Sequence, residues 1–493
     1  IIVFFLVALS VIRAPKIKIP DNLKYLEIDF SVAPILGVFI LLLTQTLDWN
    51  DVIFGIVGND QIKPWQIIIL FFSLAYVCVS LDSSGIYNYF ALKAVLLAKG
   101  NGRLMFLAFF VLSSVLTIFT SNDIVILTLT PIIAYFCDYT KTDPLPYLFT
   151  QFFACNIWSI SLEIGNPTNI IVAEAFNIPF LEYSLWMFLP AIVSGLTSLG
   201  MVYLVFRSRI PDSMNIPKVD PSNGLQKFYA IYGLVCLFGC LLLLSLSNKL
   251  HLDIWIITLG TAVLMLIKDI VADYKSFGFQ RKFNLLQDDN ERDTPLEDAK
   301  GANDRDDADH DENLLKAEQD QAKKAKHGWR DGNTVTTLGR LPWKIVPFVV
   351  GMFIMVEGLN TTGLIAIFAS GLSAIVGNYV SSIFVMCYLS AFVCNLINNQ
   401  PMTILFTNIL LHDNFKVSAL TQKASMYALI MGSNFGANFT LIGALAGIMW
   451  SSILSDKHID IPYMTFAKYG FIVMPVVVAS ACIVFAIELA IFG

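Results

Sequence analysis

Charged residues are scarce in this sequence. Asp, Glu, Lys and Arg make up 14% of its 493 residues, whereas soluble proteins contain about 25%. Acidic residues outnumber basic ones and give a formal net charge of −6. No basic stripe is therefore present that could neutralise the phosphates of a nucleic acid. These shortages exclude an ordinary soluble enzyme and a nucleic-acid-binding protein.

Motifs for catalysis and metal binding are missing as well. All five histidines lie outside the long apolar stretches, so no histidine is available as a base or zinc ligand inside a membrane. The eight cysteines form no Cys-x-x-Cys pair, and no Gly-x-x-x-x-Gly-Lys-Ser/Thr phosphate loop occurs. We therefore expect neither an enzyme nor a resident metal or cofactor.

Apolar residues dominate instead, at 56% of the chain. They form about a dozen stretches, and most of these approach the roughly 20 residues that a helix needs to cross a bilayer. This pattern predicts an all-α polytopic membrane protein of the plasma membrane, with the lipid bilayer as its surroundings.

The chain divides into two related halves. The motif Leu81-Asp82-Ser83-Ser84-Gly85-Ile86 recurs as Leu359-Asn360-Thr361-Thr362-Gly363-Leu364, and each copy follows an apolar helix. We assign residues 1–206 to a first repeat and residues 229–493 to a second. A cytoplasmic linker, residues 207–228, joins them.

An acidic segment interrupts the second half. Residues 288–320 contain fourteen acidic and four basic residues. Such a composition buries too little apolar surface to offset the entropy lost on ordering. The sequence therefore predicts a disordered cytoplasmic insert over residues 271–340.

Each half also carries two polar breaks within its apolar runs. In the first half these are Thr120-Ser121-Asn122-Asp123 and Glu163-Ile164-Gly165-Asn166-Pro167-Thr168-Asn169. In the second half they are Asn398-Asn399-Gln400-Pro401 and residues 432–440. The excess of Lys and Arg in alternate loops orients the halves oppositely. We thus predict two inverted repeats with about ten transmembrane spans, two re-entrant hairpins (104–138 and 380–411) and two broken helices.

Non-helical backbone survives in a membrane only inside protein or beside a water-filled cavity. Inverted repeats with discontinuous helices are typical of secondary transporters. Carboxamides and hydroxyls at the breaks could surround one small inorganic solute, or Na⁺. The predicted substrate-binding residues are Thr120, Ser121, Asn122, Asn166, Thr168, Asn398, Asn399, Asn434, Asn438 and Thr440.

Two acidic residues at the breaks are candidates for ion coupling. A carboxylate within an apolar run is costly, and such residues commonly serve ion or proton movement. Asp123 is the stronger candidate and could hold a proton in one state and release it in another, although it could also simply cap a helix. Glu163 is the second candidate. The coupling ion would be H⁺ or Na⁺.

At these motifs the chain resembles the ion transporter superfamily and, within it, the arsenite/antimonite permease branch. The resemblance implies a homodimer, an elevator-like movement of the hairpin domain, and export of arsenite or antimonite. Export would run against proton influx or with an associated ATPase. Carried over by motif, the substrate-site residues are Asn122, Asp123, Asn166, Asn398, Asn399 and Asn434.

The sequence thus favours a secondary active transporter that exports a small metalloid hydroxide in exchange for protons. The same superfamily leaves open a sodium/proton antiporter, an organic-anion carrier or a silicic-acid carrier. Two functions of a different kind also stay open, namely that of a channel and that of a non-transporting receptor.

Overall fold

The computed structural model describes residues 2–12, 16–17, 26–27, 29–58, 62–215, 220–292 and 332–493. Its helices are α1 (Ile2–Ile12), α2 (Ala33–Leu43), α3 (Trp49–Val57), α4 (Pro64–Ser83), α5 (Ile86–Leu97), α6 (Gly102–Phe119), α7 (Asn122–Thr140), α8 (Leu145–Trp158), α9 (Pro167–Ala175), α10 (Phe180–Phe206), α11 (Lys227–Leu250), α12 (Ile254–Arg292), α13 (Asn333–Arg340), α14 (Ile345–Thr361), α15 (Leu364–Val376), α16 (Tyr379–Ile397), α17 (Asn399–Leu411), α18 (Ala419–Phe435), α19 (Leu445–Asp456) and α20 (Tyr463–Phe492). Two short strands, β1 (Lys16–Ile17) and β2 (Leu26–Glu27), pair antiparallel. The all-α prediction is confirmed.

Nine segments among the described residues are long and apolar enough to cross a membrane. Three of them, α6, α7 and α16, belong to the two helix pairs in which we predicted hairpins. The outer face of α11 shows why the chain suits a bilayer, because large apolar side chains are exposed there at helical spacing. They are Phe228, Ile231, Val235, Phe238 and Leu242. In a bilayer this stripe meets lipid at no cost, whereas in water it would favour aggregation.

The repeated motif adopts the same local structure in both halves. Gly85 and Gly363 have φ angles of 81° and 75°, in the left-handed region that glycine enters without steric cost. The backbone N–H of Gly85 donates to the Asp82 carbonyl, and that of Gly363 donates to the Asn360 carbonyl, both at 2.9 Å. The two sequences therefore build the same turn between a long helix and a short one. The inverted relation of the whole halves stays a prediction.

Both ends of the α6–α7 pair contact one segment of the chain, residues 207–215. Arg103, at the start of α6, forms an ion pair with Asp212 at 3.0 Å. Asp143, just beyond α7, pairs with Arg209 at 3.3 Å. The pair therefore begins and ends at the same end of the molecule, with its tip at Thr120 and Ser121 inside the bundle.

The predicted bounds of the disordered insert, residues 271–340, extend too far at both ends. Helix α12 continues to Arg292, and residues 333–340 form α13. The Asp273 carboxylate accepts the backbone N–H groups of Asn333 at 2.6 Å and Thr334 at 2.9 Å. Asp273 thus satisfies amides at the start of α13 that have no partner within the helix. Residues 293–331, which include most of the acidic stretch, lie outside the described residues.

Hydrogen bonds to a buried ion pair of α12 fasten this helix to α4. Lys268 Nζ lies 2.8 Å from Asp269 Oδ1, and both side chains are almost fully buried. The hydroxyls of Tyr76 and Ser80, on α4, donate to Asp269 Oδ2 at 2.9 and 2.6 Å. These hydrogen bonds satisfy the carboxylate that the ion pair removes from water, as a buried charge requires.

Candidate functional site

Two broken helices form the centre of the site. Helix α8 is followed by a single 3-10 turn at Glu163–Gly165 and then by α9. Helix α18 is followed by a 3-10 turn at Gly436–Asn438 and then, after an irregular segment, by α19. The sequence explains the first restart, because Asn166 accepts the amide of Thr168 at 3.1 Å and Pro167 occupies the first helical position.

Aromatic packing holds the two broken helices together. The rings of Phe149 and Phe152, on α8, contact Trp450 of α19 and Phe466 of α20 at centroid separations of 5.0 to 5.8 Å. Such pairs add about 0.5–1.5 kcal/mol each beyond the area that they bury. The polar breaks therefore rest on a rigid apolar base.

Asn434 joins the two breaks through its carboxamide. Its Oδ1 accepts hydrogen bonds from Ser159 Oγ at 2.6 Å and from Asn166 Nδ2 at 2.8 Å. Its Nδ2 donates to Asn169 Oδ1 at 2.7 Å and to the Ile430 carbonyl at 2.8 Å. A residue of the second half is thus bonded to three residues of the first, and all of them are buried.

A second chain of carboxamides reaches the tip of the first helix pair. Asn122 Nδ2 donates to Asn156 Oδ1 at 2.9 Å, and Asn156 Nδ2 donates to Asn438 Oδ1 at 2.9 Å. Next to it, Ser433 Oγ donates to Thr168 Oγ1 at 3.1 Å. The α6–α7 tip is therefore connected to both broken helices.

The tip of the second helix pair contacts the same region through backbone groups. Asn399 Nδ2 lies 3.4 Å from the Ser433 carbonyl, and Asn398 Nδ2 lies 3.3 Å from that of Ile442. Thr440 donates its hydroxyl to Asn395 at the end of α16. Asn398 has φ 71° and ψ 155°, a conformation that costs a residue other than glycine about 1–3 kcal/mol.

Most of the predicted substrate-binding residues therefore lie within one region, but two stand apart. Thr120 donates its hydroxyl to the Leu116 carbonyl of its own helix at 2.7 Å. The Ser121 hydroxyl oxygen lies 3.5 Å from Asn122 Oδ1, and Ser121 also lines a separate cavity. The structure also adds partners that the sequence analysis did not select as site residues: Asn156, Ser159, Asn169 and Ser433. A carboxamide inside the apolar run 145–177 is the signal that could have identified Asn156.

The network is electrically neutral in its composition. Its members are carboxamides and hydroxyls, which both donate and accept hydrogen bonds. Within the part of the chain that the structure describes, no Lys or Arg side chain hydrogen-bonds to any of them. The same residues include no group of three or more His, Cys, Asp or Glu that could hold a metal ion. The arrangement suits a small neutral polyol better than an anion.

Asp123 lies beside this network, in the wall of a cavity of about 120 Å³. Two other polar side chains line the cavity, those of Ser121 and Arg340, and the remainder of the wall is apolar. Arg340 forms an ion pair with Asp82 at the end of α4. The carboxylate of Asp123 makes no hydrogen bond to the described residues, and no side chain caps the start of α7. The alternative of a simple helix cap is therefore not seen for Asp123.

Glu163 lies in the first break and is 1% exposed. Neither carboxyl oxygen has a hydrogen-bond partner among the described residues. Tyr183 donates its hydroxyl to the Ile160 carbonyl, three residues before Glu163, at 3.1 Å, and the centroid of its ring lies 6.4 Å from that of Tyr427. A carboxyl group without a partner is costly to bury in its charged form. Protonation or a bound cation would remove that cost.

Two family models match this chain. The model described as citrate transporter matches residues 7–277, which is more than half of the chain, and the model described as arsenical pump membrane protein matches residues 329–488. Between them lie residues 278–328, the middle of the predicted insert.

Several known proteins are similar over most of their length. An arsenical pump membrane protein of Yersinia enterocolitica is 24% identical over 415 residues, or 83% of each chain. That of Escherichia coli K12 is 24% identical over 455 residues, or 91% of each chain. Among solved structures, the YdaH transporter of Alcanivorax borkumensis superimposes with a TM-score of 0.50 at 12% identity, covering 99% of this chain and 96% of that one. At that identity the likeness concerns the fold alone.

Proposed function

The chain belongs to the superfamily of the citrate transporters and arsenical pump membrane proteins, and on that premise we propose that it exports arsenite or a similar small metalloid hydroxide by exchange with protons. Membership makes it an integral membrane protein and a transporter rather than an enzyme. The plasma membrane is the usual site of such transporters.

The neutral hydrogen-bond network is the observation that carries the choice of solute. Arsenous acid is uncharged at neutral pH and presents hydroxyl groups that both donate and accept. The carboxamides of Asn122, Asn156, Asn166, Asn434 and Asn438 offer both kinds of partner in one buried region. A solute that enters can exchange hydrogen bonds with these side chains without separating charge in a region of low dielectric.

Proton coupling is assigned to Asp123, with Glu163 as the second carrier. Asp123 borders a cavity and has no hydrogen-bond partner in the part of the chain that the structure describes, so its carboxyl can gain and lose a proton as its surroundings change. Glu163 lies on the first break, which also supplies Ile164 and Pro167 to the wall of that cavity. Asp123 thus borders a cavity that the first break helps to line, and Glu163 is a residue of that break. Occupation of the site by solute and protonation of the acids would alternate.

Proton-driven flux of arsenite in proteoliposomes tests this function. The purified chain should move arsenite uphill when a pH gradient is imposed, and the movement should stop when the gradient is dissipated. Asp123→Asn should abolish uphill movement and its dependence on pH. Asp138→Asn is a matched control, because Asp138 is an exposed residue of the same helix. Normal pH-dependent transport by Asp123→Asn would contradict the role of this residue.

An organic anion is the second candidate solute. The citrate-transporter model matches the longer part of the chain, and Arg340 places one cation in the cavity beside Asp123. Citrate or a dicarboxylate that competes with arsenite, or that moves when arsenite does not, would favour this candidate. Na⁺-driven movement would favour sodium coupling, and rapid downhill flow without uphill movement would indicate a channel. No flux of any solute would favour a receptor.

The oligomeric state stays a prediction from the family resemblance. We propose a homodimer, and an ATPase partner is a further proposal of the same origin. Light scattering of the purified chain in detergent would measure the first. Arsenite flux driven by a proton gradient in the absence of ATP would show that an ATPase partner is not required.

A further inference from the structure

A polar pocket lies apart from the site described above. It encloses about 420 Å³ at the ends of α4, α9, α10 and α11. Four titratable or charged side chains line it: Lys63, Glu174, His251 and Asp253. Most of its other lining residues are polar or lie in turns. A pocket of this composition holds water and exchanges protons with it.

The pocket lies at the end of the molecule away from the basic loops. Helix α10 begins at Phe180, in the pocket wall, and ends at Phe206, next to Arg207 and Arg209. Its 27 residues correspond to about 40 Å at 1.5 Å per residue. Helix α11 likewise runs from Lys227 to the pocket. The pocket and the segment that holds both ends of the α6–α7 pair are therefore on opposite sides of the protein.

Glu174 connects this pocket to the first break. It occupies the last turn of α9, a helix of nine residues that starts directly after the break. Glu163 opens the 3-10 turn Glu163–Gly165, so only the 9 residues of α9, about 13.5 Å at 1.5 Å per residue, separate the break from the pocket wall. Lys63, His251 and Asp253 line the pocket together with Glu174 and are the titratable groups that face it there. Near Glu163, Tyr183 and Tyr427 are further titratable residues, since Tyr183 bonds to the Ile160 carbonyl and its ring contacts that of Tyr427.

Unpartnered polar atoms continue the connection inward. Both oxygens of Glu163 and the hydroxyls of Ser161 and Tyr427 are buried without a hydrogen-bond partner among the described residues. Buried polar atoms are rarely left in this state unless water or an ion occupies the space or chemistry requires it. Ser161 and Glu163 belong to the segment between α8 and α9, and Ile164, the residue after Glu163, lines the cavity of Asp123.

The cavity of Asp123 is directed to the other end. Arg340 in its wall pairs with Asp82, near the C-terminal end of α4, whereas the polar pocket contains the residues that precede and open α4. Asp123 is therefore associated with the C-terminal end of α4, through Arg340 and Asp82. The polar pocket lies at the N-terminal end of the same helix.

We propose that the polar pocket is the mouth through which protons reach Glu163 from the side opposite the basic loops, with Glu174 as the proton acceptor at its inner wall. The inference rests on the proton exchange proposed above. A proton from pocket water binds the Glu174 carboxylate and then passes, through water along α9, to the Glu163 carboxylate, which regenerates ionised Glu174. Asp123 exchanges its proton toward the other side.

Sided flux measurements in proteoliposomes of the full chain test the inference. Glu174→Gln should lower proton-driven arsenite flux at least tenfold and remove the dependence of the rate on pH at the pocket face. Dependence on pH at the opposite face should persist. Glu174→Asp should restore both, because it restores a carboxyl group. Asn248→Ala removes an uncharged residue of the same pocket and should leave the flux unchanged.

Thiol labelling gives a readout that needs no transport. Glu174→Cys should react with a membrane-impermeant reagent from one side only, and Asp212→Cys, in the segment that holds the α6–α7 ends, from the other. The unaltered chain provides the background, since seven of its eight cysteines are buried. Labelling of both positions from the same side would overturn the proposal.

The two hypotheses can fail separately. If the unaltered chain shows proton-driven flux and Glu174→Gln keeps its normal pH dependence at the pocket face, the pocket is not the proton mouth and the proposed function stands. If the unaltered chain shows no proton-driven flux, both are overturned.

Discussion

Replacing Asn434 by alanine should disrupt the contact between the two halves. The variant removes the acceptor of Asn166 Nδ2 and the donor to Asn169 Oδ1, and both groups are buried. Ser159 keeps an alternative acceptor, the Asn156 carbonyl at 2.9 Å. Each group left without a partner costs about 1–3 kcal/mol. Two such groups predict a loss of about 2–6 kcal/mol in the free energy of unfolding.

Denaturant unfolding of the purified protein in detergent would measure this loss. Asn408→Ala is the matched control, since the Asn408 carboxamide bonds only to the Ile404 carbonyl of its own helix among the described residues. We expect that control to cost less than about 1 kcal/mol. Arsenite flux should fall in the Asn434 variant and persist in the control.

Asn434→Asp separates the hydrogen bonds from the shape of the side chain. An ionised carboxyl cannot donate to Asn169 Oδ1, whereas a protonated carboxyl can donate one hydrogen bond. The folded state therefore favours the protonated form, and the stability of this variant should fall as the pH rises. Equal unfolding free energies for Asn434→Ala and Asn408→Ala, or no pH dependence for Asn434→Asp, would refute the reasoning.

Three further predictions concern other parts of the site and scaffold. Asn398→Gly should be about 1–3 kcal/mol more stable than Asn398→Ala, because only glycine relieves the backbone strain; equal melting temperatures would contradict this. Asp269→Ala should cost about 3–5 kcal/mol by leaving the Lys268 ammonium buried and unpaired, and Lys268→Met combined with Asp269→Asn should recover most of that loss in the same unfolding assay. Asn156→Ala should cost about 2–6 kcal/mol and lower arsenite flux, since two carboxamides lose their partner; flux equal to that of Asn408→Ala would argue against a place in the site.

Features that depend on local sequence were predictable. The apolar runs specify helices in a bilayer, where every backbone hydrogen bond must be made within the segment. The predicted polar breaks at 120–123 and 163–169 lie at the places where helices end and restart in the structure. The turn at Gly85 and its counterpart at Gly363 follow from the freedom of glycine at positive φ. The family resemblance, which rested on the same motifs, is confirmed by the family matches.

The bounds of the acidic insert were predicted too broadly because composition was averaged over a long window. Residues 271–292 continue a helix that has already begun, and extending a helix is much easier than starting one. At the other end, α13 gains the cap from Asp273, which is sixty residues away in sequence. A contact of that kind is not visible in local composition.

The sequence by itself determined the class of protein, the positions of the breaks and the residue types that occupy them, because hydropathy and helix termination act over a few residues. Only the tertiary structure decided which carboxamides meet. Asn434 reaches Asn166 across 268 residues, and Asn156 reaches Asn438 across 282. The structure likewise placed Arg340 in the wall of the cavity of Asp123 and Glu174 in a polar pocket with Lys63, His251 and Asp253. These pairings depend on how the two halves pack, and each side chain satisfies a partner that its own segment cannot supply.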